Sequence, residues 1–237
     1  ALAMTIDLEA LYLDLHRNPE LSFQETRTAG IVAEQLRGLG VEVVEGIGGT
    51  GVAGVLRGGG TNGSDGPTVW LRADMDGLPV EELTGLDYAS KARGIDPNGV
   101  DVPVMHACGH DLHVTCLLGA VEALVARKNE WSGTVVAIFQ PAEELGAGAQ
   151  AMIADGLYDR VPRPDIVLGQ HVTPLPAGTI GVRPGTQMAA SDGLTVTLFG
   201  RGGHGSRPHA TIDPIVMAAA TVMRLQTVVS RETNPLD

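Results

Sequence analysis

The sequence has 237 residues, a formal net charge of −12 and an apolar fraction of 43%, which suits one large domain or one domain and part of another. The negative charge argues against nucleic acid and anionic membranes as partners, because both are polyanions. No apolar run reaches the roughly 18 residues of a membrane span, and neither a signal-peptide pattern nor a disulfide framework is present, so a reducing cytoplasm is the expected location.

The N-terminal part predicts two helices and then several strands. Apolar residues share one face of a helix over Thr5–Arg17, which Asn18 and Pro19 end. Ser22–Glu25 has the pattern of a capping box and predicts a second helix that runs to about Leu39. Short apolar runs then predict strands at Val41–Val44, Val52–Leu56 and Thr68–Leu71.

The stretch M-H-A-C-G-H-D-L-H, from Met105 to His113, concentrates metal-ligating residue types. Cys108 and His110 are two positions apart, so their side chains lie on the same side of an extended or looped backbone, and Gly109 permits a tight approach. A thiolate and an imidazole together suit zinc or a similar ion. A buried free cysteine beside surface histidines is the alternative at this point.

A helix is predicted directly after this stretch. It covers Leu112–Arg127, and Asp111 is placed to cap its first turn. Cys116 falls in its apolar part and is expected to be a buried small hydrophobe. Residues 84–104, which precede the stretch, carry little pattern and are expected to form a loop.

Two aspartates follow the predicted strand Thr68–Leu71. Asp74 and Asp76 stand at the kind of strand end where open α/β sheets place their sites. Taken alone, the pair is explained more simply as a turn in which each aspartate hydrogen-bonds its own backbone.

Two more candidate groups also follow strands. Glu143 and Glu144 come after the apolar run Thr134–Phe139, which predicts a central strand buried on both faces. A solvated first helical turn would explain the two glutamates equally well. His171 follows the short predicted strand Ile166–Leu168, where a lone histidine is more often structural than a ligand.

The four groups together favour a metal site. Each follows an apolar strand or precedes a helix, where side chains from separate segments converge. Any one group is a weak signal, but carboxylates, imidazoles and a thiolate at several strand ends of one small domain are hard to explain by packing alone.

The character of the sequence changes near Met188–Ser191, which we take as a domain boundary. The first domain would cover residues 1–188 and the second, incomplete in this chain, residues 189–237. A strand at Leu194–Phe199 and a helix from about Pro214 to Val229 are expected in the second domain.

The order and wording of four motifs resembles the aminoacylase/hippurate hydrolase family of co-catalytic metallopeptidases. The motifs are M-H-A-C-G-H-D-L-H, F-Q-P-A-E-E, G-Q-H and F-G-R-G-G-H-G-S-R-P-H, and the branch in question contains bacterial N-acyl-amino-acid amidohydrolases and plant auxin-conjugate hydrolases. The resemblance runs from about Leu8 to the C-terminus. It implies an α/β fold, in which a mixed-sheet catalytic domain flanked by helices is followed by the start of a small α+β lid domain that mediates homodimerisation.

The resemblance also implies roles for individual residues. Two divalent metal ions, zinc or manganese, would be held by Cys108, His110, Glu144 and His171. Glu143 would be the general base toward a metal-bound water, and Asp76 an acidic residue that supports the metal centre. His204 of the lid would reach the active site of a neighbouring protomer and hydrogen-bond the oxyanion of the tetrahedral intermediate. The role of Asp74, where relatives carry a ligating histidine, stays open.

The implied activity is hydrolysis of the amide bond of a small N-acyl amino acid. Relatives have a longer chain with one more metal-binding histidine, and no histidine follows His209 here, so a catalytically incomplete metal-binding or assembly protein is the alternative. Dinucleotide binding is a further alternative, because Gly49–Gly54 and Gly200–Gly205 satisfy G-x-G-x-x-G. Neither stretch combines a preceding strand with an uninterrupted following helix, which the fingerprint requires.

Overall fold

The structure is a computed structural model that describes residues 5–61, 65–188 and 193–233. The chain divides into two compact units, Ala1–Pro176 and Ala177–Asp237. The boundary predicted near Met188–Ser191 falls on residues 189–192, which lie outside the described residues. The division into residues 1–188 and 189–237 therefore stays a prediction.

The first unit alternates helices and strands. Its helices are α1 (Leu8–Arg17), α2 (Thr26–Gly38), α3 (His110–Ala126), α4 (Gly148–Ala154) and α5 (Leu157–Arg160), with a 3₁₀ turn at Lys128–Glu130. Its strands are β1 (Glu42–Ile47), β2 (Gly51–Arg57), β3 (Thr68–Asp74), β4 (Arg93–Ile95), β5 (Asp101–Pro103), β6 (Thr134–Gln140) and β7 (Ile166–Gly169). The loop expected over residues 84–104 thus contains the short antiparallel pair β4–β5.

Five strands form one mixed sheet in the order β1-β2-β6-β3-β7. β2 pairs antiparallel with β1 and β6, whereas β3 pairs parallel with β6 and β7. The predicted central strand at Thr134–Phe139 is therefore confirmed as β6. Its side chains alternate between two buried faces, with Ala137 and Phe139 in one apolar cluster and Val136 and Ile138 in the other.

Helices cover both faces of this sheet. α1, α2 and α3 supply the first apolar cluster with Leu15, Leu36 and Leu118, all fully buried. α4 and α5 supply the second cluster with Met152 and Leu157. The mixed α/β fold class expected from the sequence is confirmed.

The capping box predicted at Ser22–Glu25 does not form. Glu25 precedes α2 without a side-chain cap bond to the helix, and the Glu20 carboxylate instead accepts hydrogen bonds from the amides of Arg27 and Thr28. The side chain of Ser22 donates to Asp76. Ser22 and Glu25, the two residues that would form the cap, instead make hydrogen bonds with residues far away in the sequence.

Two expectations for α3 are also wrong. The helix begins at His110 after Gly109, so Asp111 lies inside its first turn rather than capping it. The carboxylate of Asp111 lies 2.6 Å from Nδ1 of His16 in α1. Cys116 is exposed, because the buried face of α3 carries Val114, Leu117, Leu118 and Val121 and position 116 points away from it.

The second unit contains helix α6 (Pro214–Thr227), which Asp213 caps, followed by a π-helical turn at Val228–Glu232. The strand predicted at Leu194–Phe199 is absent from the described residues of the second unit, in which an isolated bridge joins Arg201 and Ile212. A strand requires a hydrogen-bonding partner, and residues 194–199 have none in a named sheet.

Within the part of the chain that the structure describes, no helix combines the length and apolar character that a bilayer span requires.

A pair of leucine substitutions in α3 tests this packing. Leu118 is 0% exposed and Leu112 is 37% exposed, so Leu118→Ala should lower the free energy of unfolding by about 2–5 kcal/mol through cavity formation. Leu112→Ala on the same helix should lower it by less than about 1 kcal/mol. Urea unfolding followed by circular dichroism measures both, and equal losses would contradict the described helix orientation.

Candidate metal centre

The candidate ligands meet at one edge of the sheet. β3, β6 and β7 run parallel, so their carboxyl ends lie together. Asp74 ends β3 and Asp76 lies just after it, Glu143 and Glu144 follow β6, and His171 follows β7. The loop before α3 and its first turn bring Cys108, His110 and His113 to the same place.

His110 is the centre of this group. Its ring is fully buried, and Nδ1 lies 2.9 Å from the main-chain carbonyl oxygen of Asp76. Nδ1 therefore donates to that carbonyl, which leaves the lone pair on Nε2 free for a cation. Nε2 lies 3.9 Å from Oε2 of Glu143 and 3.9 Å from Oε1 of Glu144.

Two buried atoms of this site have no hydrogen-bond partner among the described residues: Nε2 of His110 and Oε1 of Glu144. Buried polar atoms without a partner are rare and call for an explanation. Two ligands of a tetrahedral zinc ion, each about 2.1 Å from it, lie about 3.4 Å apart. The two unpartnered atoms therefore fit a shared divalent ion.

Cys108 and His171 form the adjacent pair. Sγ of Cys108 lies 3.4 Å from Nε2 of His171, and Nδ1 of His171 lies 2.7 Å from the carbonyl oxygen of Val172. Gly109, between Cys108 and His110, has a φ of 82°, and a Cβ there would lie 2.5 Å from Cγ2 of Val172. Both the backbone conformation and the space therefore require glycine at this position.

The ligand atoms fall into three sets, and within each set all atoms lie within 4.8 Å of one another. His110 belongs to every set. The sets are Cys108, His110 and His171; His110, Glu143 and Glu144; and Asp74, His110 and His113. The structure thus brings together the four predicted ligands and the predicted base at one place.

Asp76 holds the turn that carries both glutamates. Its carboxylate accepts hydrogen bonds from the amides of Glu143 at 3.1 Å and Glu144 at 3.0 Å, and from the hydroxyl of Ser22 at 2.6 Å. Burial alone would raise the pKa of Asp76, but hydrogen bonds from His110, Ser22 and the two amides bring that pKa below its ordinary value. Asp76 is therefore ionised and fixes its neighbours in place.

His113 has no role among the sequence predictions, and that of Asp74 is left open by them. Nδ1 of His113 lies 2.5 Å from Oδ1 of Asp74, and Nε2 accepts a hydrogen bond from the Val172 amide at 3.0 Å. Burial alone would raise the pKa of Asp74, but His113, His110 and Arg72 lower it to about 2. The three-residue spacing of His110 and His113, which places both on one helix face, was the sequence feature that could have indicated His113 as part of the site.

Negative charge dominates the site. Burial, followed by the charges of Glu144 and Glu143, raises the pKa of the Cys108 thiol to about 11. Burial also raises the pKa of Glu144, although the charge of His110 acts in the opposite direction. A site that holds a thiol and several carboxylates in this way favours a bound cation.

Two further histidines, His106 and His204, lie outside these ligand sets. His106 is buried, and neither ring nitrogen has a hydrogen-bond partner among the described residues. Burial lowers its pKa to about 4, so its ring is neutral. His204 is exposed in the second unit, where Nδ1 accepts a hydrogen bond from the Ser206 amide at 3.2 Å, and its role at an active site stays a prediction.

The two glycine patterns lack the setting that dinucleotide binding requires. Gly49–Gly54 runs from a turn directly into β2, and Gly200–Gly205 is followed by a 3₁₀ turn at Pro208–Ala210. Neither opens an α-helix after a strand.

Similar curated proteins are hydrolases. The chain is 43% identical over 230 residues to hippurate hydrolase of Campylobacter jejuni, covering 97% of this chain and 56% of that protein. It is 43% identical to N-acetyl-L-cysteine deacetylase of Bacillus subtilis (94% and 50% covered) and 44% identical to thermostable carboxypeptidase 2 of Saccharolobus solfataricus (94% and 53% covered). The chain spans about half the length of the curated relatives it matches.

Two solved structures are similar in both fold and sequence. A putative aminohydrolase from methicillin-resistant Staphylococcus aureus matches with a TM-score of 0.73 and 38% identity, over 96% of this chain and 57% of that one. The Bacillus subtilis YXEP protein, described as a dinuclear metal binding peptidase from the M20 family, matches with a TM-score of 0.60 and 38% identity, over 70% and 42%.

These similarities confirm the resemblance to the aminoacylase/hippurate hydrolase group. The profile of peptidase family M20/M25/M40 matches residues 70–235, well over half of the sequence and all of the candidate ligands. The chain belongs to peptidase family M20/M25/M40.

Proposed function

We propose that this chain carries the metal centre of an amidohydrolase that cleaves the amide bond of N-acyl amino acids. The observation that carries the proposal is the pair of buried, unpartnered ligand atoms on His110 and Glu144, with Cys108 and His171 beside them. The relatives named hippurate hydrolase and N-acetyl-L-cysteine deacetylase support the substrate class.

The ligands of two divalent ions would be Cys108, His110, Glu144 and His171. Thiolate and imidazole ligands favour zinc, while the carboxylates also suit manganese. A divalent ion held by these residues would supply Lewis-acid chemistry, polarising the substrate carbonyl and lowering the pKa of a coordinated water. A thiol ligand must stay reduced, which supports a cytoplasmic location.

Glu143 would act as the general base. Its side chain is 38% exposed, while Oε2 lies 3.9 Å from Nε2 of His110. The carboxylate therefore faces both the ligand group and the solvent from which water and substrate arrive. It accepts a proton from the attacking water and passes it to the nitrogen of the leaving amine.

The second unit would act as a dimerisation lid. In a homodimer, His204 of each protomer would donate a hydrogen bond to the oxyanion that forms in the active site of the other protomer. The extended, glycine-rich segment Gly200–Gly205 that carries His204 supports this arrangement, because it presents an exposed imidazole.

Replacement of the base tests the reaction. Glu143→Gln should lower kcat for N-acetyl and N-benzoyl amino acids by about 10²–10⁴-fold with unchanged metal content. The assay measures amine release with added zinc or manganese, in the longest natural form of the protein that contains these 237 residues. Glu130→Gln, an exposed position, is the matched control. Normal turnover by Glu143→Gln would exclude Glu143 as the base, and bound metal without turnover in the unsubstituted protein would favour a binding role.

The pKa of Cys108 predicts how metal binding depends on pH. A thiol with a pKa of about 11 is protonated at pH 8 and must lose its proton to bind the ion, so binding should release about one proton from it. Affinity should rise about tenfold per pH unit between pH 7 and 9. Calorimetry in buffers of different ionisation enthalpy measures the release.

Two serine variants control this pH experiment. Cys108→Ser should remove the proton release, whereas Cys116→Ser should keep it, because Cys116 is an exposed thiol away from the ligands. Proton release that persists in Cys108→Ser would show that another group supplies the proton.

Mixing two inactive variants tests the proposed role of His204. If each active site combines Glu143 of one protomer with His204 of the other, a heterodimer of Glu143→Gln and His204→Ala has one complete site. Statistical exchange of subunits in a two-fold dimer should then restore about a quarter of the full activity. No restoration, in samples that light scattering shows to be exchanged dimers, would rule out the shared site.

A further inference from the structure

Glu25 has a fully buried carboxylate and lies outside the predicted site. This carboxylate contacts the backbone of the turn that carries Glu143 and Glu144, which we call the glutamate turn. Glu25 is 0% exposed, and Oε1 accepts a hydrogen bond from the amide of Ala142 at 2.8 Å. Ala142 directly precedes Glu143 and Glu144. The contact thus joins the α1–α2 connection to the turn that carries the proposed base and ligand.

The same oxygen accepts a second backbone hydrogen bond, from the amide of Phe23 at 2.9 Å. Phe23 and Ala142, with φ values of 63° and 47°, are the two non-glycine residues with a left-handed backbone in the described part of the chain. Such a conformation is strained for a residue with a side chain and persists where the surroundings fix it. One oxygen atom of Glu25 therefore holds both strained residues.

Three consecutive amides of the turn are held by two buried carboxylates. Ala142 donates to Glu25, while Glu143 and Glu144 donate to the two oxygens of Asp76. The left-handed conformation of Ala142 redirects the chain after β6, which sets where the next two side chains point. Without the Glu25 acceptor, the buried Ala142 amide would lose its partner and its conformation would lose support.

The second oxygen of Glu25 accepts from the hydroxyl of Thr50. Phe23, Ala142 and Thr50 thus all act as hydrogen-bond donors to the carboxylate. Burial raises its pKa, and the hydrogen bonds from Thr50, Ala142 and Phe23 act against that rise. The geometry is that of an anchored acceptor and not of a group facing a ligand.

We propose that Glu25 is a positioning residue for the metal centre. Glu25 fixes the left-handed backbone at Ala142 and thereby orients Glu144 toward the ion and Glu143 toward the attacking water. This inference rests on the proposed function, because it assumes that Glu144 is a ligand. Glu25, the last residue of the predicted capping box, would thus stabilise the metal centre instead of the start of helix α2.

Three variants of the whole chain separate this role from a general contribution to folding. Glu25→Leu removes the acceptor. Glu25→Gln keeps it, because the amide oxygen accepts from Phe23 and Ala142 while the NH₂ group donates to Thr50. Glu20→Leu is the matched control. Glu20 lies in the same α1–α2 connection, and its carboxylate accepts hydrogen bonds from amides of α2 without contacting the glutamate turn.

The first readout is zinc affinity, measured by competition with a chromogenic chelator at a temperature where each variant is folded. Glu25→Leu should bind zinc about 10–100-fold more weakly, with Glu25→Gln and Glu20→Leu within about threefold of the unsubstituted chain. The second readout is amide hydrogen exchange of the metal-free protein over residues 140–144, which Glu25→Leu alone should accelerate.

Zinc affinity and exchange in Glu25→Leu that match the unsubstituted chain would overturn the inference, as would equal losses in Glu20→Leu. If Glu25→Leu does not fold, Glu25→Asp gives the same test, because it keeps the charge but withdraws the carboxylate by about 1.5 Å. An unsubstituted chain that binds no zinc would instead refute the proposed function, and the exchange readout would still decide whether Glu25 holds the turn.

Discussion

The site depends on the hydrogen bonds that the buried carboxylate of Asp76 accepts. This carboxylate accepts hydrogen bonds from Ser22, Glu143 and Glu144, and the carbonyl of the same residue orients His110. Three segments of the chain, those of Ser22, His110 and the two glutamates, therefore contact one residue just after β3. Because Asp76 is buried, the loss of one of these partners would leave its charge less fully compensated, which costs more than the loss of a surface hydrogen bond.

The mixed sheet explains why these segments meet. A parallel arrangement of β3, β6 and β7 places the turns after all three strands on one edge, and α3 brings its first turn to that edge. The resulting cluster crowds carboxylates around a thiol and a buried imidazole. Such crowding opposes folding in the absence of a cation, so part of the stability of this region is expected to come from the bound ion.

The sequence predicts the parts of this structure that rest on strong local signals. The apolar run of β6 and the C-x-H pair at the start of α3 are examples, and both lie where the pattern places them. The helix-face position of Cys116 was missed because a uniformly apolar helix gives no clear inward face. The strand expected at Leu194–Phe199 was wrong because alternation alone does not supply a partner strand.

The remaining misses concern contacts between residues far apart in sequence. Ser22 and Glu25 match the pattern of a local cap, and no property of the sequence reveals that Asp76 and Ala142 are their partners. The pairing of Asp74 with His113 is hidden in the same way, since each residue has a simple local interpretation. Polar contacts of this kind depend on the folded arrangement and not on periodicity.

The distance along the chain between Glu25 and Ala142, 117 positions, also bears on the order of events during folding. Closing so long a loop is entropically unfavourable until the intervening strands are in place. During synthesis from the N-terminus, Glu25 emerges early, and its partner Ala142 is made only after β6. If Glu25 positions the proposed ligands, their geometry is completed among the last steps, and a nascent chain would offer no finished site to the metal ions around it.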